Sequence, residues 1–181
     1  MEIQETLDKI YLAQLLDEMD EDEATDLIQE HSNKAQEEIL SKMEQKDAEI
    51  IKDLIQYGEE TAGGLMTPEF NKVYWNQPAA EIFTKIRQES NSDTQPYFYV
   101  VDNQDKLLGF FKLRDLFNVP TSALAEEFIR SNTPKIEIND PCEKVANLMS
   151  QEHLSILPVV NENNVIQGVI TFDDVIRVME D

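Results

Sequence analysis

Residues 76–88, NQPAAEIFTKIRQ, decide the fold because they return 63 residues later, at 139–151, as NDPCEKVANLMSQ. Each copy opens Asn-x-Pro and runs on with apolar positions at helical spacing. Further along, Val100-Val101-Asp102 returns as Val159-Val160-Asn161, and Leu108-Gly109-Phe110 as Gln167-Gly168-Val169, both 59 residues later. The two offsets differ by four, so the first copy holds four extra residues. They fall in 89–96, ESNSDTQP, whose composition is that of a loop. β-branched and aromatic clusters supply strands at 73–75, 97–101, 107–111, 136–138, 156–160 and 165–170. Each copy therefore reads strand, helix, strand, strand, helix. An internal repeat of this length is a stronger statement about architecture than any single propensity. One copy alone exposes a sheet face. Two copies cover each other's, and the cleft between them is the natural ligand site.

Upstream the chain changes character. Residues 1–57 contain no Gly and no Pro, so nothing interrupts helices there. Leu7, Ile10, Tyr11, Gln14 and Leu15 form an apolar helical stripe, with Leu12, Leu16 and Met19 alongside. Asp20 or Asp22 caps a second helix through Ala24, Leu27 and Ile28. Ser32 or Asn33 opens a third, with Ile39, Leu40 and Met43 inward. A fourth starts near Lys46, turns Ile50, Ile51, Leu54 and Ile55 inward, and ends at Gly58. The expected fold class is α+β: a small all-α domain of helical hairpins over 1–57, a junction over 58–70, and two α/β copies over 71–130 and 131–181.

The chain has 181 residues and a net charge of −22, from 15 bases and 37 acids. Residues 1–60 hold 19 acids and 5 bases, net −14; the remainder holds 18 and 10, net −8. Such acidity argues against nucleic acid, whose phosphates need Lys and Arg. It also argues against anionic lipid and favours cations. The longest apolar runs are 107–111 and 156–160, far below the roughly 18 residues that span a bilayer. The acidic start, MEIQETLDKI, is no signal peptide, and a single cysteine, Cys142, allows no internal disulfide. A cytoplasmic setting is expected. No Ser/His/Asp order, P-loop or GxGxxG occurs, so no catalysis is expected.

The repeat resembles a tandem of CBS domains, a Bateman module. The family pattern is Gly, two apolar residues, Thr or Ser, two residues, then Asp. Gly168-Val-Ile-Thr171-Phe-Asp-Asp174 matches it, and Gly109-Phe-Phe-Lys112-Leu-Arg-Asp115 matches it in part. A narrower resemblance lies in Thr61-Ala-Gly-Gly-Leu-Met-Thr-Pro-Glu-Phe70, which is similar to the junction of MgtE-type magnesium transporters. In that family an acidic helical domain precedes the CBS pair, and a connecting helix leads on to membrane helices. The chain thus looks like the cytosolic regulatory region, with the pore domain of the same transporter as partner where the full chain continues. It is not expected to insert in the membrane itself. The resemblance further implies a homodimer through the CBS helices. Arg177 and Val178 depart from the more acidic final helix usual in the family.

Two ligands follow from the resemblance. Mg²⁺ would sit between acidic faces of the helical domain and the CBS pair, where oxygen ligands suit a small hard cation. The candidate metal residues are Asp20, Asp22, Glu23, Asp26, Glu59, Glu69, Glu143, Asp173 and Asp174. ATP or another adenine nucleotide would use the Thr-x-x-Asp carboxylates for ribose and apolar groups for the base. The candidates are Tyr97, Arg114, Asp115, Ile156, Leu157, Pro158, Thr171 and Asp174. The acidic run is also what a solvated helix face looks like. Asp115 and Asp174 equally suit helix caps. Three functions stay open: Mg²⁺ sensing that gates a magnesium channel, a free-standing CBS-pair nucleotide sensor acting on a partner protein, or a dimerisation scaffold alone.

Overall fold

The computed structural model describes residues 2–58, 60–88 and 96–180. Glu59, most of the expected 89–96 loop and Asp181 lie outside the described residues. Four helices come first: α1 (Glu2–Leu16), α2 (Glu21–Gln29), α3 (Asn33–Leu40) and α4 (Gln45–Leu54). A short helix α5 (Ala62–Leu65) follows, then β1 (Lys72–Tyr74), α6 (Ala79–Gln88), β2 (Tyr97–Val101), β3 (Leu107–Lys112) and α7 (Leu113–Leu116). A 3-10 turn at Ala125–Glu127 leads to β4 (Ile136–Glu137), α8 (Cys142–Gln151), β5 (Ile156–Val160), β6 (Ile166–Thr171) and α9 (Phe172–Glu180). The expected class is observed: a helical N-terminal region and then two α/β copies.

The repeat is visible in the backbone. Both sheets have the same order, β1-β2-β3 and β4-β5-β6, with parallel pairing of the first two strands. The β2–β3 and β5–β6 turns are alike in detail. Asp105 and Asn164 both take positive φ, 57° and 61°, which Asp and Asn tolerate better than other side chains. Asp102 Oδ1 accepts from the N–H groups of Gln104 and Lys106, and Asn161 Oδ1 accepts from Asn163 and Val165. The two turns also meet: Lys106 bridges Val165, the residue 59 positions on, so local two-fold symmetry passes between them.

Contacts divide the chain into two compact units. One holds 1–68, 138–156 and 170–181; the other holds 69–137 and 157–169. The first has a core of Ala13, Leu16, Ala24, Ile28, Ile39, Leu40, Met43, Ala48 and Ile51. The second is centred on Val73, Ile82, Phe98, Val100, Phe111 and Leu116, where the Phe98 and Phe111 rings stack at 5.1 Å. Full burial of such a side chain contributes about 1.5–3 kcal/mol.

Each unit contains a leader segment that docks on the start of a copy. In one, Ala79 N–H donates to Ala123 O, and the N–H groups of Ala125 and Glu126 donate to Gln77 O and Trp75 O. In the other, Cys142 N–H donates to Glu60 O, and those of Ala62 and Gly63 donate to Asp140 O and Ile138 O. Every residue of the second set lies 63 positions from its equivalent when copies and leaders are matched. The leader before copy 1 therefore docks on copy 2, and the leader before copy 2 docks on copy 1.

Two local expectations need correction. On α1, Ile10, Tyr11 and Leu15 are 37%, 69% and 55% exposed, while Ala13 and Leu16 are buried. This helix is apolar round much of its circumference, so periodicity alone does not choose the inward face. Second, α4 ends at Leu54, before Gly58, with Ile55 in right-handed helical conformation at its end. Further along, the Thr121 carbonyl accepts from Ala80 N–H and so serves the N-terminus of α6.

Gly63 is fixed by space. A Cβ there would lie 2.7 Å from Tyr57 Cγ and 2.9 Å from Ile138 Cγ1. Gly63→Ala is expected to destabilise the chain by about 1–3 kcal/mol, the scale of overpacking. Gly58→Ala, whose Cβ would meet Thr61 Cγ2 at an ordinary 3.7 Å, is the matched control. Urea denaturation of both variants checks this; equal midpoints would mean that Tyr57 yields.

Candidate functional site

The last helix of each copy begins with a carboxylate folded back on its own N-terminus. Asp115 Oδ2 accepts from Lys112 N–H at 2.9 Å. Asp174 Oδ2 accepts from Thr171 N–H at 3.0 Å and from the Thr171 hydroxyl at 2.5 Å. Both are caps, as one of the two sequence readings holds. Each also meets a guanidinium. Arg130 Nη2 donates to both Asp115 oxygens at 3.1 Å, and Arg177 Nη2 donates to Asp174 Oδ1 at 2.6 Å. A carboxylate offers about four lone-pair directions, so caps and ion pairs coexist.

Around Arg177 the acids converge. Glu21, Asp22 and Glu23 occupy the first turn of α2, where the helix dipole favours negative charge. From α9, Arg177 reaches Asp22 Oδ2 at 3.6 Å and pairs with Glu23 as well. One guanidinium therefore serves three carboxylates from two helices. Burial raises the pKa of Asp22 to about 6, and the nearby Asp174 charge adds to this, while Arg177 opposes it. Burial acts against the charge of Arg177, but Asp22, Glu23 and Asp174 together outweigh it and raise its pKa.

The other candidate metal residues are dispersed. Asp20 is the exposed N-cap of α2, and Asp26 is exposed further along it. Glu69 is exposed ahead of β1, Glu143 in the first turn of α8 and Asp173 in that of α9. Glu59 lies outside the described residues. Among the described residues, no group of three or more His, Cys, Asp or Glu is arranged to hold a metal ion. Any cation shared by these acids would need them to move or would keep much of its own water.

The candidate nucleotide residues fall at strand ends. Tyr97 opens β2, with its ring 5.9 Å from that of Phe110 and Lys112 Nζ 4.9 Å above it. Arg114 is exposed on α7, next to Asp115. Ile156, Leu157 and Pro158 are buried in β5. In the second copy a cleft of about 460 Å³ opens between Met149, His153, Ser155, Thr171, Phe172 and Asp173. That volume is within the range of small-molecule sites.

Comparison with known proteins fits this arrangement. Residues 1–60 match the profile of the MgtE intracellular N domain, and residues 125–181 match that of the CBS domain. The structure superposes on the soluble part of a magnesium transporter with a TM-score of 0.86 at 30% identity, covering 96% of this chain and 68% of that one. The chain belongs to the MgtE family. Its fold is the helical domain and CBS pair of MgtE. It is also similar to the cytosolic domain of the Mg²⁺ channel MgtE in complex with ATP, with a TM-score of 0.85 and 29% identity over 92% of this chain and 69% of that one. The magnesium transporter MgtE of Thermus thermophilus is 34% identical over 131 residues, which is 72% of this chain and 29% of that protein. These three are transporters or transporter parts rather than enzymes. The chain spans 29–37% of the length of the curated MgtE relatives. Among the described residues, no helix is long and apolar enough to cross a membrane.

Sequence reasoning missed two partners within this chain. Arg130 carried no signal for Asp115, because it lies 15 residues on and arrives through the Phe110–Arg130 backbone bridge. Arg177 stood out only as a base on an acidic helix. Its position three residues after Asp174 is the one sequence cue to that pair.

Asp22 gives a pH test. Its carboxyl ionises near the ordinary 3.8 when unfolded and near 6 when folded, so the folded chain holds the extra proton between those values. That contribution to stability is complete below the lower value and is lost as pH rises to about 6. Asp22→Asn is expected to gain stability relative to the parent chain between pH 4 and 6, then hold a constant difference. Urea titrations at half-unit intervals check this; a parallel pH profile for the two proteins would contradict it.

Proposed function

We propose that this chain is the cytosolic Mg²⁺-sensing regulatory region of a magnesium transporter, and that Mg²⁺ at its acidic interfaces favours a compact state that closes the pore. The observation that carries this reading is the likeness to the soluble part of a magnesium transporter over 96% of the chain. The net charge of −22 supports it. Acidic faces repel when bare, and divalent ions held only in the docked form pull the equilibrium towards it. The working division is a helical domain over 1–57, a junction over 58–70 and CBS copies over 71–130 and 131–181. The region acts in the cytoplasm, as a homodimer through its CBS helices, on the pore domain of the same transporter. The metal ligands are drawn from Asp20, Asp22, Glu23, Asp26, Glu59, Glu69, Glu143, Asp173 and Asp174. Small-angle scattering of the chain at millimolar Mg²⁺ is expected to give a smaller radius of gyration than in chelator. Identical profiles in Mg²⁺, Ca²⁺ and chelator would end this reading.

An adenine nucleotide is the second ligand, supported by the ATP complex of the similar cytosolic domain. Arg114 supplies a planar fork for phosphate, and Asp115 accepts ribose hydroxyls beside Tyr97. Thr171, Asp174 and the Ile156-Leu157-Pro158 entry offer the corresponding groups in copy 2. The same residues would serve a free-standing nucleotide sensor, so nucleotide binding alone does not separate the two functions. Arg114→Ala and Asp115→Asn are expected to weaken ATP binding about tenfold or more by calorimetry, the loss of one charged hydrogen-bond partner. Unaltered heats in both variants would remove this site.

A further inference from the structure

We propose that Arg177 is a built-in cation that holds α2 against α9, so that this one contact forms without a divalent ion. The geometry is a three-way ion pair. Arg177 Nη2 lies 2.6 Å from Asp174 Oδ1 on its own helix and 3.6 Å from Asp22 Oδ2 on α2. Its other terminal nitrogen pairs with Glu23, also on α2. The side chains of Asp22 and Asp174 are only 13% and 17% exposed, so their charges are poorly screened by water.

An isolated surface ion pair contributes little. This one differs because removing the guanidinium leaves three carboxylates from two helices facing one another. The cost of losing Arg177 is therefore their repulsion as well as the lost attraction. Those carboxylates are also among the ones assigned to Mg²⁺ above. A tethered guanidinium is present at a fixed effective concentration, whereas a free ion must reach its own. It therefore competes with Mg²⁺ for these oxygens, and divalent ions act mainly at the remaining acids. The inference rests on the Mg²⁺-sensing reading only for that last step; the clamp itself needs no metal.

The test is the distance between α2 and the last copy, measured by electron double resonance on the full chain. Spin labels go at the exposed positions Glu30 and Ser150, with Cys142→Ala to remove the buried native thiol. The chain with native Arg177 is expected to show one narrow distance in chelator, unchanged by 10-fold steps of Mg²⁺. Arg177→Gln is expected to raise the separated population in chelator about tenfold, the scale of a small charge network. In the Asp22→Asn/Glu23→Gln background, Arg177→Gln is expected to change nothing, which distinguishes a clamp from general loss of stability. A broad distance for the native chain in chelator would overturn the proposal. So would an unchanged distance in Arg177→Gln, or equal opening in both backgrounds. If Mg²⁺ fails to close the Arg177→Gln variant, the clamp stands and the sensing reading fails at this contact.

Discussion

The arrangement depends on a few backbone hydrogen bonds at Glu60–Gly63. Through them the segment after the helical domain joins the start of copy 2, by way of Cys142, Asp140 and Ile138. Buried backbone groups must find partners, and among these bonds the one from Cys142 N–H to Glu60 O satisfies the first N–H of α8. They also set which helices can meet. With the junction tied to copy 2, the acidic first turn of α2 and the helix α9 belong to one compact unit. Asp22, Glu23, Asp174 and Arg177 come together within that unit. Gly63 is required there because the Tyr57 ring and Ile138 leave no room for a side chain.

Charge then acts within a frame that packing has already fixed. Most of the described acids of the helical region are exposed, and these contribute solubility rather than structure. Asp22 differs from them. It is drawn inward far enough that its own ionisation is disfavoured, despite a guanidinium beside it. The helix dipole offsets part of this cost, since Asp22 lies in the first turn of α2. A group balanced in this way responds to any change in the charge around it.

Much of the fold was legible in the sequence, and the repeat explains why. The strand clusters at 97–101 and 156–160 match β2 and β5 residue for residue, and the helices at 79–88 and 142–151 match α6 and α8. Two copies of one pattern reinforce each other, so a weak signal in one is carried by the other. Residues 107–111 and 165–170 came within one residue of β3 and β6 at each end. The inward face of α1 was not legible, because Ile10, Tyr11 and Leu15 offer as apolar a stripe as Leu12, Leu16 and Met19 do. The leaders that dock on the opposite copy were invisible too. Their bonds run through backbone N–H and carbonyl groups, which every residue but proline carries alike. Of the candidate site, the capping role of Asp115 and Asp174 followed from local spacing, whereas Arg130 and the α2 partners of Arg177 depend on distant chain segments.

The two copies share a backbone but not a charge. At matching positions 59 residues apart, copy 1 places Lys112, Arg114 and Asp115 where copy 2 places Thr171, Asp173 and Asp174. Arg130 adds a further cation at the copy 1 cap. The potential at that cap is therefore raised, and an anion such as a phosphate gains by approaching it. At the copy 2 cap, Asp173 adds to Asp174, and α2 adds Asp22 and Glu23, and Arg177 is the cation that meets this negative balance.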